Sequence, residues 1–191
     1  MIAHFDVSRE RSLRAIEEAM EQDQRIYLVT QSNVDREDPT QEDLYQMGIV
    51  ADIKQVVRLQ NDVVRILVDG ISRAKLLGFT GCEKYLEAEI CYCDSNADSL
   101  PEDLKDAMLL GVREAFHRYA AVIGKISKEL IRQIDQYEDL EKLIDYVTNN
   151  LPVSYELKQQ VLEAEDINDR YQVIVSLLLS QVEVISIKNE L

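Results

Sequence analysis

Between residues 42 and 74 the apolar positions alternate instead of recurring every third or fourth residue. Ile49, Ala51, Ile53, Val57 and Leu59 share one parity, while Val50, Asp52, Lys54, Val56 and Arg58 share the other, the period of a half-buried strand. Asn61 and Asp62, which tolerate left-handed backbone, interrupt the run. It resumes with Val64, Ile66 and Val68 set against Arg65, Leu67 and Asp69. The pattern predicts a long β-hairpin. Gly70, inside its second strand, predicts a bulge or a tight corner.

Shorter elements flank the hairpin. Residues 1–7 are a short apolar stretch, and Ser8 is placed to cap a helix with Leu13, Ile16 and Met20 on one face, ending before Asp23. Residues 26–30 read as a strand and 31–41 as a polar loop; residues 76–79, a break at Gly78 and Gly81, and a strand over 85–93 follow. The small polar run DSNADSL at 94–100 is the predicted domain boundary. Beyond it the period changes to that of helices. Ser99 and Glu102 have capping-box spacing ahead of a helix striped by Leu104, Met108, Val112, Ala115, Tyr119 and Val122. Helices over 128–136, 140–150 and 155–165 follow, with Ser154 placed to cap the last of these. Asp166 is placed to cap a final helix carrying Ile167, Tyr171, Ile174, Leu178, Val182 and Ile185. The fold class is therefore α+β, with β-rich residues 1–95 ahead of an α-helical bundle over 96–191.

The ordered set Asp38-Pro39, Glu42-Asp43-Leu44-Tyr45, Gly48, Ala51-Asp52-Ile53, Leu59, Arg65, Leu67-Val68, Gly70 and Arg73-Ala74 resembles the amino-terminal domain of the Lon ATP-dependent proteases. SRERS at 8–12, LVTQ at 28–31, and Asp145, Leu151-Pro152, Lys158-Gln159, Leu162-Glu163 and Arg170 extend the resemblance to roughly residues 1–188. It implies a small PUA-like β-barrel followed by a helical bundle. His4 and Ser8 stand where the family more often has Pro and Gly. The family also places a further strand ahead of the position of Met1; either the sequence starts short of it or the fold tolerates an opened sheet edge, which would be an association hazard.

Charge and chemistry narrow the function. Thirty-six acidic against 21 basic residues give a net charge of −15, which repels nucleic-acid phosphates and anionic lipid. No apolar run of about 18 residues and no secretory signal is expected, which makes the cytoplasm the expected location. Cys82, Cys91 and Cys93 are odd in number and lack paired metal-ligand spacing. A zinc site would need His4 or His117 as further ligands, and plain thiols are the favoured reading. Acidic clusters such as Glu17-Glu18 and Glu163-Glu165-Asp166 read as solvated helix faces or caps. His117 reads as a surface histidine, and Tyr119 and Tyr171 as core or boundary residues. No phosphate-loop, G-x-S-x-G or H-E-x-x-H pattern occurs.

The expectation is thus a chain without catalytic, cofactor or metal residues. The resemblance implies a substrate-recognition and assembly domain of an ATP-dependent protease that degrades misfolded and short-lived regulatory proteins. ATP, Mg and a Ser-Lys dyad would belong to its other domains. Implied partners are unfolded or misfolded proteins and other Lon subunits in a homohexamer, with neither nucleic acid nor membrane. Tyr45 and Met47, which periodicity explains least, are the candidate polypeptide contacts. The alternative is a stand-alone Lon-domain adaptor without protease activity.

Overall fold

A computed structural model describes residues 1–191 as two compact units, Met1–Cys93 and Asp94–Leu191. The first contains β1 (Ile2–Val7), α1 (Glu10–Glu21), β2 (Arg25–Leu28), β3 (Met47–Arg58), β4 (Val64–Phe79) and β5 (Ala88–Tyr92). All strand pairs are antiparallel, in the order β1-β4-β3-β2, with β5 also on β4. The predicted hairpin is β3–β4. At its tip Asn61 and Asp62 both adopt left-handed backbone, φ 59° and 58°, and the Val63 N–H donates to the Gln60 carbonyl.

Two bulges shape this hairpin. Val50 faces Ser72 and Ala51 faces Gly70, so Ile71 is an extra residue on β4 beside the predicted glycine. Ile53 faces Val68 and Gln55 faces Leu67, so Lys54 is an extra residue on β3. The two slips cancel in register but not in side-chain direction. Ala51, Ile53, Ile66 and Val68 form a core with Ile16 and Ala19 of α1. Past Lys54 it is Val56 that packs against this core, whereas Val57 and Leu59 are exposed. The unbroken parity expected from sequence is therefore corrected by one inserted residue.

Tyr27 ties three strands together. Its ring lies against Gly48 of β3, where an added Cβ would collide with the ring and with the Leu28 carbonyl. Through that gap the phenol donates to the Ala74 carbonyl of β4 at 2.9 Å. Burial pushes the phenol pKa up to about 12.

Several local expectations change. Residues 2–7 are not merely an apolar stretch but an edge strand, β1. The strand predicted over 85–93 shortens to β5, and 76–79 belong to a 16-residue β4. Ser8 does not cap α1, because the N-cap is Arg9. Ser99 does not cap α2 (Glu102–Ile123): it closes a preceding helical turn through its hydroxyl, 2.7 Å from the Asn96 carbonyl, and Pro101 takes the N-cap. The capping box falls instead at Thr40/Asp43, where the Thr40 N–H donates to Asp43 at 3.0 Å.

The second unit continues with α3 (Lys128–Gln136), α4 (Leu140–Asn150), α5 (Tyr155–Glu163) and α6 (Ile167–Glu190). Ser127, Asp139 and Asp166 cap α3, α4 and α6, accepting from Leu130, Lys142 and Asn168 N–H groups at 3.1, 2.9 and 2.8 Å. Ser154 holds the N-cap position of α5 without a side-chain cap bond. Phe116, Tyr119, Ile134, Leu143, Ile144, Val147, Ile167, Ile174 and Leu178 form the core. Tyr171 lies at its margin, its hydroxyl end close against Gly111 of α2. Arg170, 3% exposed, donates to the Ala164 and Glu165 carbonyls at 2.8 and 3.2 Å and to Glu141 of α4 at 3.1 Å. It locks the α5–α6 junction onto α4.

One helix bears on the expectation about membranes. α6 contains an 18-residue window of mean hydropathy 1.3, long and apolar enough by composition to cross a bilayer. Its first half is nevertheless built into the bundle core, with Ile167, Ile174, Leu177 and Leu178 buried around Arg170.

Two outcomes follow from these anchors. Below pH 10.0, the ordinary tyrosine value, Tyr27 is neutral in both states; as pH rises towards its folded value of about 12, only the unfolded chain releases the proton, so stability falls. Urea midpoints measured at about pH 9 and about pH 11.5 will therefore separate more widely for wild type than for Tyr27→Phe. Tyr85 and Tyr119, also raised, leave a residual decline. Arg170→Met will cost about 3 kcal/mol, because two carbonyls and a carboxylate lose a common donor. Hydrogen exchange will show the loss concentrated in residues 94–191.

Candidate polypeptide-binding surface

The two residues singled out from sequence are not brought together on a surface. Met47 is 2% exposed, paired with Lys75 of β4, and its Sδ lies 3.8 Å from the Cys93 sulfur. Its expected role as a surface contact is corrected to one of packing: β3 begins at Met47 and its neighbours close over the side chain. Tyr45 is half-buried and anchored by its N–H, which donates to the Thr30 carbonyl at 3.0 Å. It sits where the 31–46 loop returns to the sheet, beside the Gln31–Leu44 bridge.

That loop is held by its own polar contacts. Asp43 is buried and takes hydrogen bonds from the Thr40 N–H and hydroxyl, with Arg36 at 3.5 Å. The Thr40 N–H, then the hydroxyl and Arg36, hold its carboxyl below the usual carboxylate range. Arg11 adds an ion pair to Asp38 at 2.9 Å. The hollow beside the loop, about 720 Å³, is open and lined by Thr40, Gln41 and Glu42. None of the three lining residues carries a large apolar side chain.

The outer face of the hairpin is different. His4, Gln55, Val57, Arg65 and Leu67 line a shallow depression of about 230 Å³. Strand register explains the grouping: His4 and Gln55 both face Leu67, and Val57 and Asp6 both face Arg65. Asp6 receives the Arg65 guanidinium through two bonds, 2.7 and 3.0 Å, which hold the Asp6 carboxyl below its ordinary value. Val57 is 39% exposed and Leu59 38% exposed. An apolar floor with a neutralised ion pair at its rim suits contact with apolar side chains and leaves no activated nucleophile. Sequence reasoning missed this surface because Lys54 inverts the parity of everything after it. A local Lys-Gln pair inside an apolar run is the only signal, and it is a faint one.

The remaining candidates stay apart. Cys91 is exposed, and Cys82 and Cys93 are half-buried thiols. His117 is on the surface of α2, 2.7 Å from Asp135.

Comparison with known proteins settles the family. The family model described as the ATP-dependent protease La (LON) substrate-binding domain matches residues 1–180. The chain belongs to the Lon substrate-binding domain family. Over its whole length it is 36% identical to a Lon protease of Lachnoclostridium phytofermentans and 32% identical to one of Clostridioides difficile. It spans about a quarter of the length of these relatives, 24% and 25%. Among solved structures, the N-terminal domain of a Mycobacterium avium complex Lon protease superposes with a TM-score of 0.72. That match covers 93% of this chain and 89% of the other, at 19% identity. A Lon N-terminal domain protein from Xanthomonas campestris gives 0.61 over 92% and 89% at 11% identity, so these two likenesses speak to the fold.

The placement of Met47 is checked by substitution. Met47→Ala will lower stability by about 2–4 kcal/mol, read as a urea midpoint shift, because it opens a cavity under β3. Any loss of polypeptide binding will track the unfolded fraction and vanish where the variant is fully folded.

Proposed function

We propose that this Lon domain captures unfolded polypeptide for an ATP-dependent protease whose ATPase and Ser-Lys peptidase lie in other domains. The carrying observation is the match of residues 1–180 to a substrate-binding domain, in a chain spanning about a quarter of its Lon relatives. The parent activity, its use of ATP and Mg, its cytoplasmic location and its homohexameric assembly belong to the same proposal. Supporting it on this chain is the outer hairpin face, where Val57, Leu59 and Leu67 offer shallow apolar contact instead of a deep pocket. Shallow contacts give weak single-site binding, which several linked copies raise steeply. Unfolded proteins expose scattered apolar side chains and folded ones bury them, so such a surface discriminates folding state rather than sequence.

The test compares a permanently unfolded polypeptide with its folded counterpart, using fluorescence anisotropy on the 191-residue chain. The expected result is binding of the unfolded form alone. Val57→Ser with Leu59→Ser will weaken it about tenfold at a stability cost of about 1–2 kcal/mol, since both residues are only partly exposed, and the comparison is made where the variant is fully folded. Equal affinity for the two forms would refute recognition of the unfolded state.

A further inference from the structure

Three sulfur atoms converge on one face of the sheet. Met47 of β3 stands opposite Lys75 of β4, and Lys75 stands opposite Cys91 of β5, so all three side chains leave the same face. Cys93, two residues on, returns to that face. Its N–H donates to the Arg73 carbonyl at 3.0 Å, which continues the β4–β5 register by one more pair. The two thiols lean together: the Cys91 thiol donates forward to the Tyr92 carbonyl at 3.7 Å, and the Cys93 Sγ lies 3.7 Å back from the Cys91 carbonyl. On its other side the Cys93 Sγ is 3.8 Å from the Met47 Sδ. Cys91 is exposed, Cys93 half-buried and Met47 buried, so the sulfurs run from surface to interior.

Spacing decides between a disulfide and a metal. Residues two apart on a strand have Cα atoms about 6.7 Å apart, at the outer limit for a disulfide, whose sulfurs must come within about 2.05 Å. Two sulfurs bound to one ion, each at about 2.3 Å, lie about 4 Å apart. The Cys93–Met47 separation of 3.8 Å matches the second spacing. No imidazole or carboxylate joins the two cysteines, and Cys82, His4 and His117 lie elsewhere, so the donors are two thiolates and a thioether. That set is soft throughout, which favours copper(I) over zinc, an ion usually held by four thiolate, imidazole or carboxylate ligands.

We propose that Cys91, Cys93 and Met47 form a three-coordinate copper(I) site. On binding, both thiols release their protons, and the ion with its two thiolates carries one net negative charge. Lys75 and Arg73, opposite Cys91 and Cys93 on the same face, set positive charge beside it. Exposed Cys91 is the entry ligand, and Met47 closes the buried side.

The experiment titrates the 191-residue chain against the copper(I)–bicinchoninate complex, anaerobically with ascorbate, and counts bound ions by native mass spectrometry. Wild type is expected to withdraw one copper(I) per chain, with an affinity that rises with pH because the thiols must ionise. Cys91→Ser and Cys93→Ser are each expected to weaken binding about a hundredfold, and Met47→Leu, which keeps the side-chain volume, about tenfold. Cys82→Ser is expected to leave it unchanged. Cys91 is exposed, so its replacement keeps the fold, and circular dichroism checks the other variants. A chain that takes no copper from bicinchoninate overturns the proposal. Binding that survives Cys93→Ser places the ion elsewhere and overturns it too, and binding indifferent to Met47→Leu overturns the three-sulfur assignment. Capture of unfolded polypeptide is read separately, so the failure of one idea leaves the other standing.

Discussion

The structure of the amino-terminal unit depends on the pairing of β3 with β4, and on the fact that this pairing is interrupted twice. β4 is long enough to serve two neighbours in succession on one side, β1 along its first part and β5 along its last. A straight strand of that length would carry both partners in one flat layer. The extra residue Ile71 lies between the β1-paired and β5-paired segments, where a bulge adds bend and twist. Lys54 on β3 restores the register that Ile71 displaces. Curvature, the two partners of β4 and the inversion of side-chain direction past Lys54 thus have one cause.

In the helical unit the organising constraint is polar. Arg170 is almost fully buried, yet a guanidinium is costly to bury unless its donors are used. Three acceptors from the α5–α6 junction and from α4 supply that compensation. Because two of them are backbone carbonyls, the junction cannot shift without stranding the charge, so the same contact that solvates Arg170 fixes the entry angle of α6. Asp166, four residues earlier, caps that helix and hydrogen-bonds Asn96 at 3.4 Å.

What the sequence revealed, it revealed where local chemistry and tertiary context agree. The hairpin was legible because Asn61-Asp62 demands a turn and the flanking residues alternate. The helices after residue 100 were legible from stripes such as Leu104 to Val122. Of the caps expected among them, Asp166 acts through its side-chain oxygen and Ser154 holds its position without that bond, while Ser127 and Asp139 are caps the sequence reading did not name. The failures share a form. Ser8 and Ser99 have the right residue type one or two positions too early, because backbone geometry, not composition, decides where a helix starts. Met47 was read as surface because a lone methionine ahead of a strand has no periodic neighbours to place it. Alternation alone places Val57 on the same parity as Ile53, because a bulge leaves almost no mark in the residue that makes it. An inserted Lys54 looks like any polar position of an alternating strand.

That last failure bears on function. A recognition surface for unfolded chains has to be apolar and exposed, which is the combination a folding sequence otherwise avoids. A regular strand cannot supply it without turning its core face outward along its whole length. A bulge can: it leaves Ala51 and Ile53 inside, sends Val57 and Leu59 outside, and keeps the hydrogen-bonded ladder on both sides of the break. The cost is one unpaired residue, and a lysine, whose charge is solvated, bears it with little loss. Exposure of these side chains is therefore set by backbone register and not by the polarity of the segment. Surfaces of this kind are found by following register through a sheet, and an alternation count along one strand passes over them.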